Sequence, residues 1–141
     1  MEYCYEYIFK PRHTDFDVFK IVHHSKYFCW FEEARYDLFT QLPVTFESII
    51  DKYGFPVTRV ECKYIRSVSK TANMSVEVKL KVDVDTPIIH FDYRLLNSSK
   101  KILYAKAYTE HVLLDREGRL LKAYPEDVEK LWAYLLNKKT I

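Results

Sequence analysis

Two aspartates carry the clearest chemistry in this sequence. The segment Arg12-His13-Thr14-Asp15-Phe16-Asp17 sets Asp15 and Asp17 two residues apart, shortly before a stretch with helical spacing. In an extended chain, side chains two apart point the same way, so both carboxylates would face one surface. A carboxylate beside a helix N-terminus suits general-base or nucleophilic work, because the helix end offers unpaired N–H donors where negative charge develops. Spacing alone is better explained by a cap or a surface pair, the plainer use of an aspartate at a turn or helix start. His23 and His24 follow at the expected helix start. A histidine pair near aspartates is also metal-ligand chemistry, but no second ligand cluster and no HExxH spacing accompanies it, so no metal is expected. His90 and His111 fall in strand-like segments and read as ordinary half-buried residues. The chain has two glycines, Gly54 and Gly118, too few for a phosphate-binding loop or a dinucleotide motif, and it has no GxSxG. Those absences exclude the phosphate-cradle enzymes and the α/β-hydrolases.

The elements that must position these residues show in the hydrophobic pattern. Residues 2–12 carry Tyr3, Tyr5, Tyr7 and Phe9 at every second position, which predicts a strand. Residues 13–22 lack periodicity and read as a loop. From about Ser25 to Thr40 the apolar positions are Tyr27, Trp30, Phe31, Ala34, Leu38 and Phe39, spaced by three and four as on one helix face. Phe28 and Cys29 widen that face, so the helix is expected to be buried on more than one side. A shorter helix is expected at 44–53, ending at Gly54 as a C-terminal glycine. Four strands follow, over 56–65, 75–84, 88–96 and 101–114. The clearest is the second, where Val76, Val78, Leu80, Val82 and Val84 alternate with charged residues. Ala105, Ala107 and Thr109 share one parity of the last strand and would let a helix approach closely. Segments 41–43 and 113–118 read as turns, and Pro125 opens an amphipathic terminal helix with Val128, Leu131, Trp132 and Leu135. Antiparallel strands cannot bury an apolar face alone, and the long aromatic helix is the obvious partner. The expected class is α+β, a sheet curled around a helix.

Composition bounds the rest. With 141 residues, 48% hydrophobic and 30% charged, the chain is sized for one domain and can build a core. No linker, repeat or low-complexity tract divides it, so residues 1–141 read as a single unit. A net charge of +2 is too small to argue for a nucleic-acid or anionic-membrane partner, and none is expected. Cys4, Cys29 and Cys62 are odd in number and far apart, which offers neither a disulfide framework nor zinc spacing. The first ten residues do not read as a signal peptide, and no apolar run approaches the roughly 20 residues that span a bilayer, so a cytoplasmic location is expected.

Arg12-His-Thr-Asp-Phe-Asp17, then Val22, Tyr27 and Trp30-Phe-Glu-Glu-Ala-Arg35, together resemble the 4-hydroxybenzoyl-CoA thioesterase branch of the hotdog superfamily, without a gap. Gly54-Phe-Pro-Val57, Phe91-Asp-Tyr93, Ala105-Lys-Ala-Tyr-Thr109 and the segment from Leu121 to Pro125 extend the likeness over roughly residues 5–130. The resemblance implies a hotdog fold, an antiparallel sheet wrapped around one long central helix. It implies homodimers joined sheet edge to sheet edge, often paired into homotetramers, with the active site at the interface. It selects Asp17 over Asp15 as the residue that attacks the thioester or activates water, and gives the backbone around His24 and Ser25 the role of polarising the carbonyl. His24 would also orient substrate or water, with His23, Ser25 and Tyr27 in contact with substrate and Phe16 and Phe19 beside the acyl group. The thiol portion would be coenzyme A or a carrier-protein phosphopantetheine, part of the substrate rather than a cofactor; Arg66, Ser67, Ser69 and Lys70, after the second strand, would meet its phosphates or, at least as readily, form a solvated basic loop. Lys20 stands where the family has a glycine, at a tight turn. Two other functions remain open on the same fold: a dehydratase or hydratase acting on acyl thioesters through His24 beside Asp17, and a non-catalytic acyl-binding protein.

Overall fold

Alternation of apolar and polar residues yields five antiparallel strands, and helical spacing of aromatic residues yields the helix they enclose. The computed structural model describes residues 2–42, 49, 51–83 and 85–138. Its strands are β1 (Glu2–Phe9), β2 (Val57–Tyr64), β3 (Met74–Val82), β4 (Ile89–Asn97) and β5 (Leu103–His111). Helix α1 spans His24–Phe39 and helix α2 spans Glu126–Asn137, with Pro125 at the N-cap of α2 as expected. A single 3₁₀ turn, His13–Asp15, sits inside the segment expected to be loop. The first strand stops at Phe9, ahead of Pro11, which has no N–H to give to a ladder. The sheet order is β1-β3-β4-β5-β2. With α1 lying across its concave face, this is an α+β hotdog fold.

Parity decides what each strand buries. On β3, Met74, Val76, Val78, Leu80 and Val82 turn inward, and the register sets Val78 opposite Tyr93 and Leu80 opposite Phe91. Helix α1 covers them with Tyr27, Trp30, Phe31, Ala34 and Leu38, all buried. Burial of each large apolar side chain contributes about 1.5–3 kcal/mol, so this face is what holds helix to sheet. Phe31 stacks on Tyr93 at 4.9 Å and Phe39 meets Phe91 edge-on at 6.2 Å.

Three expectations need correction. The small residues Ala105, Ala107 and Thr109 do face inward and are buried, but the α1 backbone comes nearest to β1 and β3. The large rings of Phe91 and Tyr93 on the neighbouring strand hold the helix off. Gly54 is not a left-handed helix cap: it forms an antiparallel bridge with Leu114, with N–H···O distances of 2.9 Å in both directions. A Cβ there would sit 3.4 Å from the Leu114 Cβ, an ordinary van der Waals contact, so the bridge does not itself demand glycine. Most of the helix expected at 44–53 lies outside the described residues, although the Tyr53 N–H donates to the Ile49 carbonyl at 3.1 Å. His111 is not half-buried but 1% exposed.

Candidate active site

The loop between β1 and α1 gives its two aspartates different work. Asp15 is buried, and its Oδ2 accepts the Arg12 N–H at 2.8 Å, capping the 3₁₀ turn. Asp17 stands half-exposed one step further on, where Phe16 bridges Val22 and pinches residues 17–21 into a tight loop. The Asp17 N–H donates to the Ile21 carbonyl at 2.8 Å and the Lys20 N–H to the Asp17 carbonyl at 3.0 Å. Asp17 Oδ1 accepts the Phe19 N–H at 2.8 Å. Among the described residues nothing bonds Oδ2, which leaves one carboxylate oxygen open to the surroundings. Lys20 takes a φ of 61°, so the left-handed turn that a glycine would make is kept by a lysine.

The start of α1 supplies donors. His23 is the N-cap, and its Nδ1 lies 2.8 Å from Ser25 Oγ and accepts the Ser25 N–H at 3.3 Å. The Lys26 N–H donates to the His23 carbonyl at 3.0 Å. The His24 N–H is therefore the unpaired donor of this first turn among the described residues. A partial positive charge gathers at this helix end.

A cleft of about 290 Å³ lies at this helix end. Asp17, His23, His24, Tyr27, Arg66 and Ser67 line it, so six of the eleven residues that the resemblance sets at the site come together. Ser25 serves the site through His23 rather than by lining it, and Lys70 is exposed outside the lining. Phe19, at 79% exposure on the loop tip, is also outside it. Tyr64 and Ile65 line the cleft and escaped the sequence reading. The only available signal was their place at the end of β2. Tyr64 donates to the His24 carbonyl at 3.1 Å and packs on Tyr27 at 5.0 Å. Burial first of all pushes the Tyr64 hydroxyl up to about 12, so it stays protonated and acts as a donor. The His24 ring touches His23 at 4.2 Å and Tyr64 at 6.3 Å, and no hydrogen bond joins it to Asp17. The described residues hold no cluster of three or more metal-ligating side chains.

A family model described as the thioesterase-like superfamily matches residues 11–131, which includes the whole of this site. The chain belongs to the thioesterase-like superfamily. Solved structures share the fold at low identity. A DHNA-CoA thioesterase from Staphylococcus aureus is 18% identical with a TM-score of 0.79, over 94% of this chain and 91% of that one. A hypothetical protein from Aquifex aeolicus is 23% identical with a TM-score of 0.78, over 90% and 98%. A 1,4-dihydroxy-2-naphthoyl-CoA thioesterase from Synechocystis is 15% identical with a TM-score of 0.77, over 98% and 100%. No curated protein sequence matches the chain. Among the described residues of this superfamily member, no helix is long and apolar enough to cross a membrane.

Proposed function

We propose that the chain is an acyl-thioester hydrolase of the 4-hydroxybenzoyl-CoA thioesterase type, working at the cleft of Asp17. What supports this most is that the open oxygen of Asp17 shares a cleft with the unpaired His24 N–H. One group can deliver a nucleophile while the other accepts the charge that forms. Asp17 either attacks the thioester carbon directly or takes a proton from an attacking water. The carbonyl oxygen becomes an oxyanion and receives a hydrogen bond from the His24 N–H at the positive end of α1. The C–S bond then breaks and the thiolate leaves, taking up a proton. Where Asp17 is the nucleophile, water hydrolyses the resulting anhydride. Either route consumes one water and releases a carboxylic acid and a thiol. His23, held by Ser25, and His24 orient the substrate.

The thiol portion is coenzyme A or phosphopantetheine. Arg66 is exposed, lines the cleft and forms no ion pair among the described residues, which suits a phosphate, with Ser67 beside it. Two structural relatives bear the names of CoA thioesterases. The active unit is a homodimer or a homotetramer. Val60 and Tyr64 of β2 lie opposite buried Thr109 and Ala105 on the inner face, yet are 45% and 43% exposed. A second β2 edge brings cover for them. The protein acts in the cytoplasm, a setting that its three free cysteines suit.

His24 in the same cleft favours one other reaction, hydration of an enoyl thioester by an Asp–His pair. Parallel assays of free-thiol release from acyl-CoAs and of enoyl-CoA hydration separate the two. Thiol release alone is the expected result, and hydration without thiol release would replace the proposal.

A further inference from the structure

Tyr64 holds the last position of β2, on the edge strand and on the inner face, opposite buried Ala105. Its ring packs on Tyr27 at 5.0 Å and meets the His24 ring edge-on at 6.3 Å. From there the hydroxyl donates to the His24 carbonyl at 3.1 Å. His24 is also the residue whose own N–H has no partner among the described residues. A side chain of the sheet therefore grips the turn that offers a free donor to the Asp17 cleft.

That turn has few other holds. His23, His24 and Ser25 are all exposed. On the loop side, the Val22 N–H donates to the Val68 carbonyl at 2.9 Å and the His23 N–H to the Asp15 carbonyl at 3.2 Å, which fixes the chain up to the N-cap. Past the cap, the other bonds of the turn stay within the helix and its cap. The Ser25 N–H donates to His23 Nδ1, the Lys26 N–H to the His23 carbonyl and the Cys29 thiol to the Ser25 carbonyl. Among the described residues, Tyr64 alone reaches residues 24–26 with a hydrogen bond from outside. Tyr27, three residues past His24, is the first buried position of α1.

The chemistry of the hydroxyl narrows what it does. Burial first, and then the neighbouring Cys62, push it up to about 12. A thiol ordinarily titrates at about 8.5, so a leaving thiolate does not take this proton. Nor does the bond add much to the stability of the fold. The His24 carbonyl already faces the Phe28 N–H four residues on, as in any α-helix, and at the open cleft water can replace the hydroxyl. What the bond fixes is position. The carbonyl and the N–H of His24 move with the same turn, and a misplacement of about 1 Å at a reacting centre can cost on the order of a hundredfold in rate.

We infer that Tyr64 is a positioning residue for thioester hydrolysis, holding the first turn of α1 so that the His24 N–H meets the oxyanion. This role rests on the reading of Asp17 and that N–H as the reacting pair. Tyr64→Phe keeps the ring on Tyr27 and removes only the hydroxyl. In thiol release from acyl-CoAs its kcat should fall about five- to tenfold, the worth of one neutral hydrogen bond. KM should stay within about twofold of the wild type, because the substrate loses no contact of its own, and the urea midpoint should hardly move. Tyr7→Phe removes a hydroxyl that bonds Glu33 further along α1, and it should leave kcat unchanged. Amide exchange followed by NMR needs no turnover: Ser25 and Lys26 should exchange faster in Tyr64→Phe, and Val78 of β3 should not. If the wild type releases no thiol, the reading of Asp17 fails, and exchange alone decides whether Tyr64 holds the turn. Undiminished kcat in Tyr64→Phe, an equal fall in Tyr7→Phe, or unchanged exchange at Ser25 and Lys26 would overturn the inference.

Discussion

At the scale of residues, a one-letter motif conceals a division of labour. Asp15 and Asp17 are indistinguishable by type and spacing, yet one is buried under an N–H and the other keeps an oxygen open. What separates them is the chain reversal between Phe16 and Val22, a contact that periodicity does not reveal. Lys20 makes that reversal in the left-handed region, where a side chain costs about 1–2 kcal/mol. Lys20→Gly removes the strain but enlarges the freedom of the unfolded chain, so a net gain of about 0.5–1 kcal/mol is expected in urea unfolding. A loss of stability would mean that the lysine side chain, not the turn, holds this loop.

At the scale of elements, the sequence was most legible where one face is wet and the other dry. Strand β3 alternates from Val76 to Val82 and its register carries no shift, and α1 buries the aromatic positions its spacing marks. Legibility failed where a tertiary contact overrode a local signal. Gly54 looked like a helix cap and is a bridge residue whose Cβ-less backbone lies against Leu114. His111 looked like an ordinary strand histidine because its burial depends on Phe55 and Phe91, which come from other segments. Its pKa gives a test of that packing. In the fold it is depressed to about 4 from an ordinary 6.5, so the unfolded chain binds more protons between those values. Stability is therefore full above about pH 6.5 and falls as the pH drops toward 4. Chemical unfolding followed over that range should show a shallower slope for His111→Phe than for the wild type. An identical slope in the variant would assign the acid sensitivity to other groups.

At the scale of the whole molecule, the inner sheet face runs past the helix that covers it. Val60 and Tyr64 are exposed on the face where their β5 partners are buried, and Tyr64 also lines the Asp17 cleft. Assembly through β2 would thus complete the site as well as the core. Val60→Glu should shift the protein to monomer in light scattering and lower its activity together with the dimer fraction. A variant that stays dimeric would move the interface elsewhere. The resemblance implied edge-to-edge dimers, but which side chains β2 leaves exposed was not legible in one sequence, because an edge strand's exposure depends on how far α1 reaches across the sheet.

The central claim is that the open oxygen of Asp17 does the chemistry. The most direct measurement is free-thiol release from a panel of acyl-CoAs by wild type and by Asp17→Asn, which keeps the shape and the turn hydrogen bond to Phe19. Loss of the carboxylate should lower kcat by at least about a hundredfold, the usual contribution of a base or nucleophile, with the unfolding midpoint little changed. Undiminished turnover by a folded Asp17→Asn protein would contradict the account.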